Sequence, residues 1–321
     1  MFKINLDKNI FYHSFYKGKI WASKNRDVIC SNDYGKSWRK ILTVSELPFL
    51  SRSKLYNRLT RNGISNIINI RDDLFAVIIK KRILLYQNES LLKSFKIERG
   101  SRPIRQCILN YDGNLIYGDY WNNENREPAN INIINTRTME RTFLKTIYNV
   151  RHIHFIQQSK YDSNQFYIGT GDEDNECIIL TLNIKSNELI RLGGGSQDWR
   201  AVSVLQKDNY LYWGTDAPND QNYIFQYDLE KKRISKVQPV AGPVFYSAES
   251  SKGVMMLASI VEYRGVHKSI IYISKDGTEW TELMEFEKDI FPLYLFGFGV
   301  VDFIQGQEKL EEIYINTHGL K

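Results

Sequence analysis

The 321-residue chain lacks the marks of a disulfide scaffold, a zinc knuckle or a membrane span. Its three cysteines, Cys30, Cys107 and Cys177, are odd in number, share no paired spacing and include no C-x-x-C. Nowhere do 18 apolar residues run together, so no stretch reads as a spanning helix. The start, MFKINLDKNIFYHSFYKGK, has no apolar core leading to a cleavage site. The chain as it stands is therefore expected in the cytoplasm, although a leader already removed would leave the same start. Runs of five or six like charges are also missing. The 43 basic and 37 acidic residues, net +6, are spread along the chain, which argues against a nucleic-acid binder and suits anionic ligands in general. No helical periodicity alternates with the strand pattern, so an α/β fold is a poor alternative.

What is present is aromatic and periodic. Aromatics make up 13% of the chain, including 20 Tyr, a composition that favours strands. A strand–turn–strand unit recurs at Arg105–Asp119 (RQCILNYDGNLIYGD), Arg151–Asp172 and Arg200–Asp216 (RAVSVLQKDNYLYWGTD). From the opening Arg to the Gly of the second run the three copies span 13, 18 and 14 residues, the extra length lying in the polar turn 158–165. Strand groups begin near Ile64, Ile104, Val150, Trp199, Pro243 and Leu293, at separations of 40, 46, 49, 44 and 50 residues. That period fits four-stranded propeller blades. Four more short strands are expected within residues 9–43. The whole chain, 1–321, then reads as one all-β propeller domain. Residues 44–63 interrupt it with a helix over Ser53–Arg61 ending at Gly63, whose Arg52, Lys54, Arg58 and Arg61 could form an anion-binding lid. The closing segment offers only two strands, so Phe2–Leu6 is expected to complete the last sheet. Seven blades result if residues 9–43 form their own blade, and six if they join the C-terminal group; seven is the preferred count.

Two hairpins carry a more specific signal. Ser31-Asn32-Asp33-Tyr34-Gly35-Lys36-Ser37-Trp38 fits S-x-D-x-G-x-x-W, and Ser274-Lys275-Asp276-Gly277-Thr278-Glu279-Trp280 is a shortened variant. The Asp can bond turn amides, the Gly supplies positive φ and the Trp packs over the turn. These resemble the Asp-box (BNR) repeats of sialidase-like β-propellers. The resemblance implies the propeller fold and, for some members, an arginine triad that clamps a carboxylate.

In a blade, first-strand starts and second-strand ends share one mouth of the channel. Arg105, Arg151 and Arg200 therefore gather there as candidate carboxylate binders, guanidinium being permanently charged and bidentate. The competing reading pairs each with a neighbouring carboxylate, for example Arg151 with Asp119 or Arg200 with Asp172. Catalytic candidates at the same mouth are His152, Tyr246, Glu262, Asp172 and Asp216, with His154, Asp119 and Trp199 as further binding residues. Tyr246 with Glu262 would imitate a sialidase nucleophile pair, with Asp172 or Asp216 as the acid. The sialidase R-I-P motif is missing, so an ordinary sialic-acid hydrolase is not the first expectation. A lyase would instead use Arg151 or Arg200 as neutraliser with His152 and Tyr246 as bases. Trp199, Trp213, Tyr120 and Trp121 could stack on sugars. His152 and His154, two apart on one strand, could hold a metal with Asp172, but no metal or other cofactor is expected from so small a set. The resulting expectation is a carbohydrate-active propeller, hydrolase or lyase, acting on an acidic oligosaccharide or polysaccharide, with no nucleic-acid or membrane partner. The alternative is a non-catalytic platform that binds glycan or protein.

Overall fold

The computed structural model describes residues 3–263 and 265–321. They form seven sheets: six four-stranded antiparallel meanders and a three-stranded sheet made from both ends of the chain. The innermost strands are Phe11–Tyr16, Asn66–Arg71, Ile108–Tyr111, His152–Gln158, Leu205–Lys207, Val244–Glu249 and Val300–Phe303, defining blades 1 to 7 in that order. This is a seven-bladed propeller. Residues 9–43 form their own blade, so the six-bladed reading is set aside.

The packing explains the ring. Both faces of a blade are apolar, and seven buried clusters fill the seven blade-to-blade interfaces. Trp21 and Val28 meet Ile67 and Phe75 between blades 1 and 2. Around the ring the series ends with Tyr12 and Ile20 against Ile304 and Tyr314, closing blade 7 onto blade 1. Each large aliphatic side chain so buried contributes about 1.5–3 kcal/mol. In blade 7 the strand Ile313–His318 lies between Val300–Phe303 and Ile4–Asn5. The N-terminal strand runs parallel to it, Ile4 opposite Ile313, and so covers an otherwise open edge. Phe2, part of the expected closing strand, lies outside the described residues.

Differences from the sequence expectation are local. The helix spans Lys54–Thr60 with Ser53 as N-cap, and Arg61, at φ 54°, takes the left-handed cap position expected of Gly63. Its cations are largely engaged within the molecule. Arg58 pairs with Asp289 and the Phe296 carbonyl, and Lys54 bonds Asn9. The segment near Leu293 opens with a helical turn, Leu293–Phe296, before blade 7. Among the described residues no helix is long and apolar enough to cross a membrane.

The two Ser-x-Asp hairpins join third to fourth strands, at the face opposite the first-strand starts. Asp33 accepts from the Ser37 amide at 2.9 Å and Asp276 from the Thr278 amide at 2.9 Å. Their glycines differ. A Cβ on Gly35 would meet only the Trp38 ring at 3.5 Å, whereas one on Gly277 would strike the Tyr212 ring at 2.2 Å. Both residues have positive φ. Gly35→Ala should therefore cost about 1 kcal/mol in a denaturant titration, and Gly277→Ala about 3. Equal losses would contradict this account of the packing.

His13, fully buried in blade 1, accepts or donates only through Nε2, 2.8 Å from Ser23 Oγ. Burial, then the Arg105 charge, holds its pKa well below the ordinary value of 6.5. Below that value the unfolded chain binds a proton that the folded one refuses, so stability is lost as pH falls through about 6.5. Tm should decline from neutral toward pH 5, and the decline should be shallower in His13→Asn.

Candidate functional site

Register brings the expected residues to one mouth. His152, at a first-strand start, pairs with Gly171 at a second-strand end, and Val300 pairs with His318 in the same way. Blade 4 carries an irregularity between Ile153 and Phe155, which makes His154 an extra residue in its strand. Such a bulge re-aims side chains. Here it lets His152 Nε2 and His154 Nε2 approach to 2.9 Å.

Asp172 is the hub. Its Oδ2 accepts from Arg151 Nη1 at 2.9 Å, and its Oδ1 lies 3.1 Å from Arg200 Nη2. The same Oδ1 is 3.3 Å from His154 Nε2 and 3.5 Å from His152 Nε2. Burial works against its charge, but the contacts it makes, two guanidiniums among them, outweigh burial, and the carboxyl is held well below the ordinary range. Arg200 also reaches Asp216, Nε to Oδ2 at 3.2 Å. Of the two pairings weighed for the arginines, Arg200 with Asp172 is present, while Arg151 pairs with Asp172 rather than Asp119.

Asp216 and Glu262 behave oppositely to Asp172. Burial raises both, Arg200 partly offsets it, and each raises the other or is raised by Asp172. Among the described residues, Asp216 Oδ1 and Glu262 Oε2 are buried with no hydrogen-bond partner. One mouth thus holds an ionised carboxylate beside two carboxyls that retain a proton more readily. Burial, with the charges of Asp172, Asp216 and Glu262, likewise raises the Tyr120 phenol. That ring sits over His152 with centroids 4.2 Å apart.

Other expected residues are elsewhere or otherwise employed. Arg105 donates from Nη2 to the carbonyls of Tyr12 at 2.7 Å and His13 at 3.0 Å, and its Nε lies 3.8 Å from Asp302. Among the described residues it shares no partner with Arg151 or Arg200. Tyr246 lies in the field of Asp302, Arg105 and Arg102, with burial raising its phenol. It pairs with Ala258 in register, while Glu262 lies beyond the end of that strand at Ser259. Among the described residues no ring contact or hydrogen bond joins Tyr246 to Glu262 or His152; the tyrosine beside His152 is Tyr120. Asp119 is a latch: its carboxylate takes the Asn130 amide and the Asn132 side chain, and its carbonyl takes the Ile153 amide of the next blade at 3.0 Å. Trp199 packs on Trp213, centroids 5.4 Å apart, and over Gly193, where a Cβ would clash with its ring at 2.1 Å. Its role is packing.

Arg102 is the residue that the repeat pattern missed, because it precedes the unit that opens at Arg105. With Arg105, Arg58 and Lys54 it sets the field that, after burial, lowers His318 to about 4. The mouth is therefore electrically divided, cationic toward blades 7, 1 and 3 and rich in carboxylates toward blades 4 to 6. On the carboxylate side a cleft of about 350 Å³ opens at Arg151, Asp172, Glu173, Asp174, Arg200 and Asp220. Four carboxylates against two guanidiniums leave that cleft formally negative.

No family model matches the chain, and no curated protein matches it either. Many solved structures share its fold. The extracellular domain of a proposed one component system, BT4673, from B. thetaiotaomicron is similar at TM-score 0.60 and 14% identity, covering 100% of this chain and 39% of that one. A GH74 xyloglucanase from Xanthomonas campestris is similar at TM-score 0.57 and 11% identity, covering 88% of this chain and 45% of the enzyme. A chain of the mitotic checkpoint complex is similar at TM-score 0.57 and 12% identity, covering 90% of this chain and 82% of that one. The chain thus spans less than half the length of the first and second of these. At such identities the likeness is one of fold.

Removing the hub charge should expose its role. Asp172→Asn leaves Arg151 and Arg200 facing each other and is expected to cost about 3 kcal/mol in chemical unfolding. Arg151→Gln, with a quarter of its side chain exposed, should cost about 1 kcal/mol. A Asp172→Asn variant as stable as the parent would refute the hub.

Proposed function

We propose that this propeller hydrolyses a glycan at the carboxylate-rich side of its mouth, with Asp216 and Glu262 as the reacting carboxyls. The observation that carries the reading is their shared retention of a proton beside ionised Asp172. A coupled pair in which one carboxyl keeps the proton while the other has lost it supplies the acid and the base that cleavage of a glycosidic bond requires. Arg151 and Arg200 hold Asp172 and Asp216 in place rather than meeting the substrate. An acidic group on the sugar chain is assigned to the cationic side, at Arg102 and the unpartnered Nε and Nη1 of Arg105. Hydrolysis is favoured over the lyase alternative because among the described residues no ring contact or hydrogen bond joins His152 to Tyr246, the base pair proposed for the lyase. The xyloglucanase adds only that this architecture can carry glycan hydrolysis.

The non-catalytic platform has one observation in its favour: the two arginines nearest the cleft are already engaged by Asp172 and Asp216. Turnover separates the readings. On a panel of neutral, uronate- and sialate-bearing oligosaccharides, reducing ends should appear without unsaturated-uronate absorbance. Asp216→Asn and Glu262→Gln should each lower kcat by about 10²–10⁴. Activity should be lost as pH rises through the raised carboxyl pKa, because the acid must be protonated. Arg102→Gln should raise KM for the acidic members of the panel and leave neutral ones unchanged. Binding without any product would favour the platform.

A further inference from the structure

We propose that His152, His154 and Asp172 form a binding site for a divalent first-row transition ion such as Zn²⁺, independently of whether the mouth cleaves glycans. The argument is one of hydrogen counting. His152 Nδ1 lies 2.9 Å from the Trp121 carbonyl, and His154 Nδ1 lies 3.1 Å from the Ala201 carbonyl. A carbonyl oxygen only accepts, so each Nδ1 carries the hydrogen. In the neutral ring each Nε2 is then a bare lone pair. Those two lone pairs face each other at 2.9 Å, and both face Asp172 Oδ1 at 3.3 and 3.5 Å. Three electron-pair donors converge with no hydrogen between the two nitrogens. Without a cation the contact is repulsive.

Either a proton or a metal ion satisfies it. His154 is 2% and His152 5% exposed, so a solvated imidazolium has little water to stabilise it. The surroundings suit a metal better. Ligating imidazoles commonly donate Nδ1–H to a backbone carbonyl, which orients the ring and makes Nε2 more basic. The three donor atoms all lie within 4.8 Å of one another, compatible with one ion at about 2.0–2.2 Å from each. The bulge at His154 and the close passage of Gly171, where a Cβ would lie 3.0 Å from the His154 ring, create that convergence. Two imidazoles with one carboxylate select a borderline transition ion over Ca²⁺ or Mg²⁺, which prefer all-oxygen sets. Asp172 supplies one negative charge to the ion and also lines the cleft.

The test uses the whole chain, stripped with chelator and titrated with Co²⁺, read by its visible d–d absorbance, then with Zn²⁺ in competition. One ion per chain should bind with micromolar or tighter affinity, Zn²⁺ should displace Co²⁺, and Mg²⁺ should not. His152→Ala and His154→Ala should each weaken binding by at least about 50-fold. ¹⁵N imidazole spectra of the parent protein keep the test independent of variant folding. On adding Zn²⁺ both Nε2 resonances should move from the bare to the ligated position. No stoichiometric binding, with one Nε2 bearing a hydrogen at neutral pH, would overturn the proposal in favour of an imidazolium–Asp172 pair. Because metal binding is read without substrate, failure of the glycan reading leaves this result intact, and the reverse also holds.

Discussion

One half-buried carboxylate, Asp172, binds two guanidiniums and faces two imidazoles, and the mouth of the propeller is arranged around it. Moving charges out of water costs several kcal/mol per ion unless partners replace the lost hydration. Arg151 and Arg200 supply that replacement for Asp172. Arg200 also touches Asp216, but offsets only part of its burial. Charge is consequently unequal across three neighbouring carboxyls. That inequality is what gives the site chemistry beyond a surface ion pair.

The ring makes this arrangement possible. Each blade supplies only a few polar groups at the mouth. Blade 4 gives His152, His154 and Asp172, blade 5 gives Asp216, and blade 6 gives Glu262. Closing seven apolar interfaces brings groups that are up to about ninety residues apart, such as Asp172 and Glu262, into one electrostatic unit. The short parallel pairing of Ile4–Asn5 with Ile313–Tyr314 therefore bears on the site as well as on the fold, because it covers the edge where the ring closes.

Much of the fold was legible in the chain. The spacing of turns such as Asp112-Gly113 and the Arg-to-Asp units marks blades, since a strand–turn–strand has a local signature. Five of the six strand groups were placed within about six residues of their inner strands; the sixth, expected near Leu293, begins at Val300 because a helical turn precedes it. The seventh blade was legible from the two strands left at the end and the spare one at the start. Partnership across blades was less legible. Arg105 resembles Arg151 and Arg200 in its unit, yet turns to the carbonyls of blades 1 and 7, a choice set by contacts 93 and 198 residues away. Tyr246 was grouped with Glu262 by its place at a first-strand start, but it lies in the field of Asp302, Arg105 and Arg102 instead. Trp199 looks like a sugar platform in sequence and becomes packing because Gly193, on an outer strand, leaves room for its ring. Arg102 was hidden because nothing local distinguishes it from the other surface cations around it.

The central claim is that Asp172 stays charged while the Asp216–Glu262 pair keeps a proton to higher pH than ordinary carboxyls do. Side-chain ¹³C carboxyl NMR across a pH titration reads this directly on the intact protein. The account predicts that Asp172 shows no protonation step above the ordinary carboxylate range, while at least one of Asp216 and Glu262 titrates well above it. Three carboxyls titrating together near pH 4 would contradict the account.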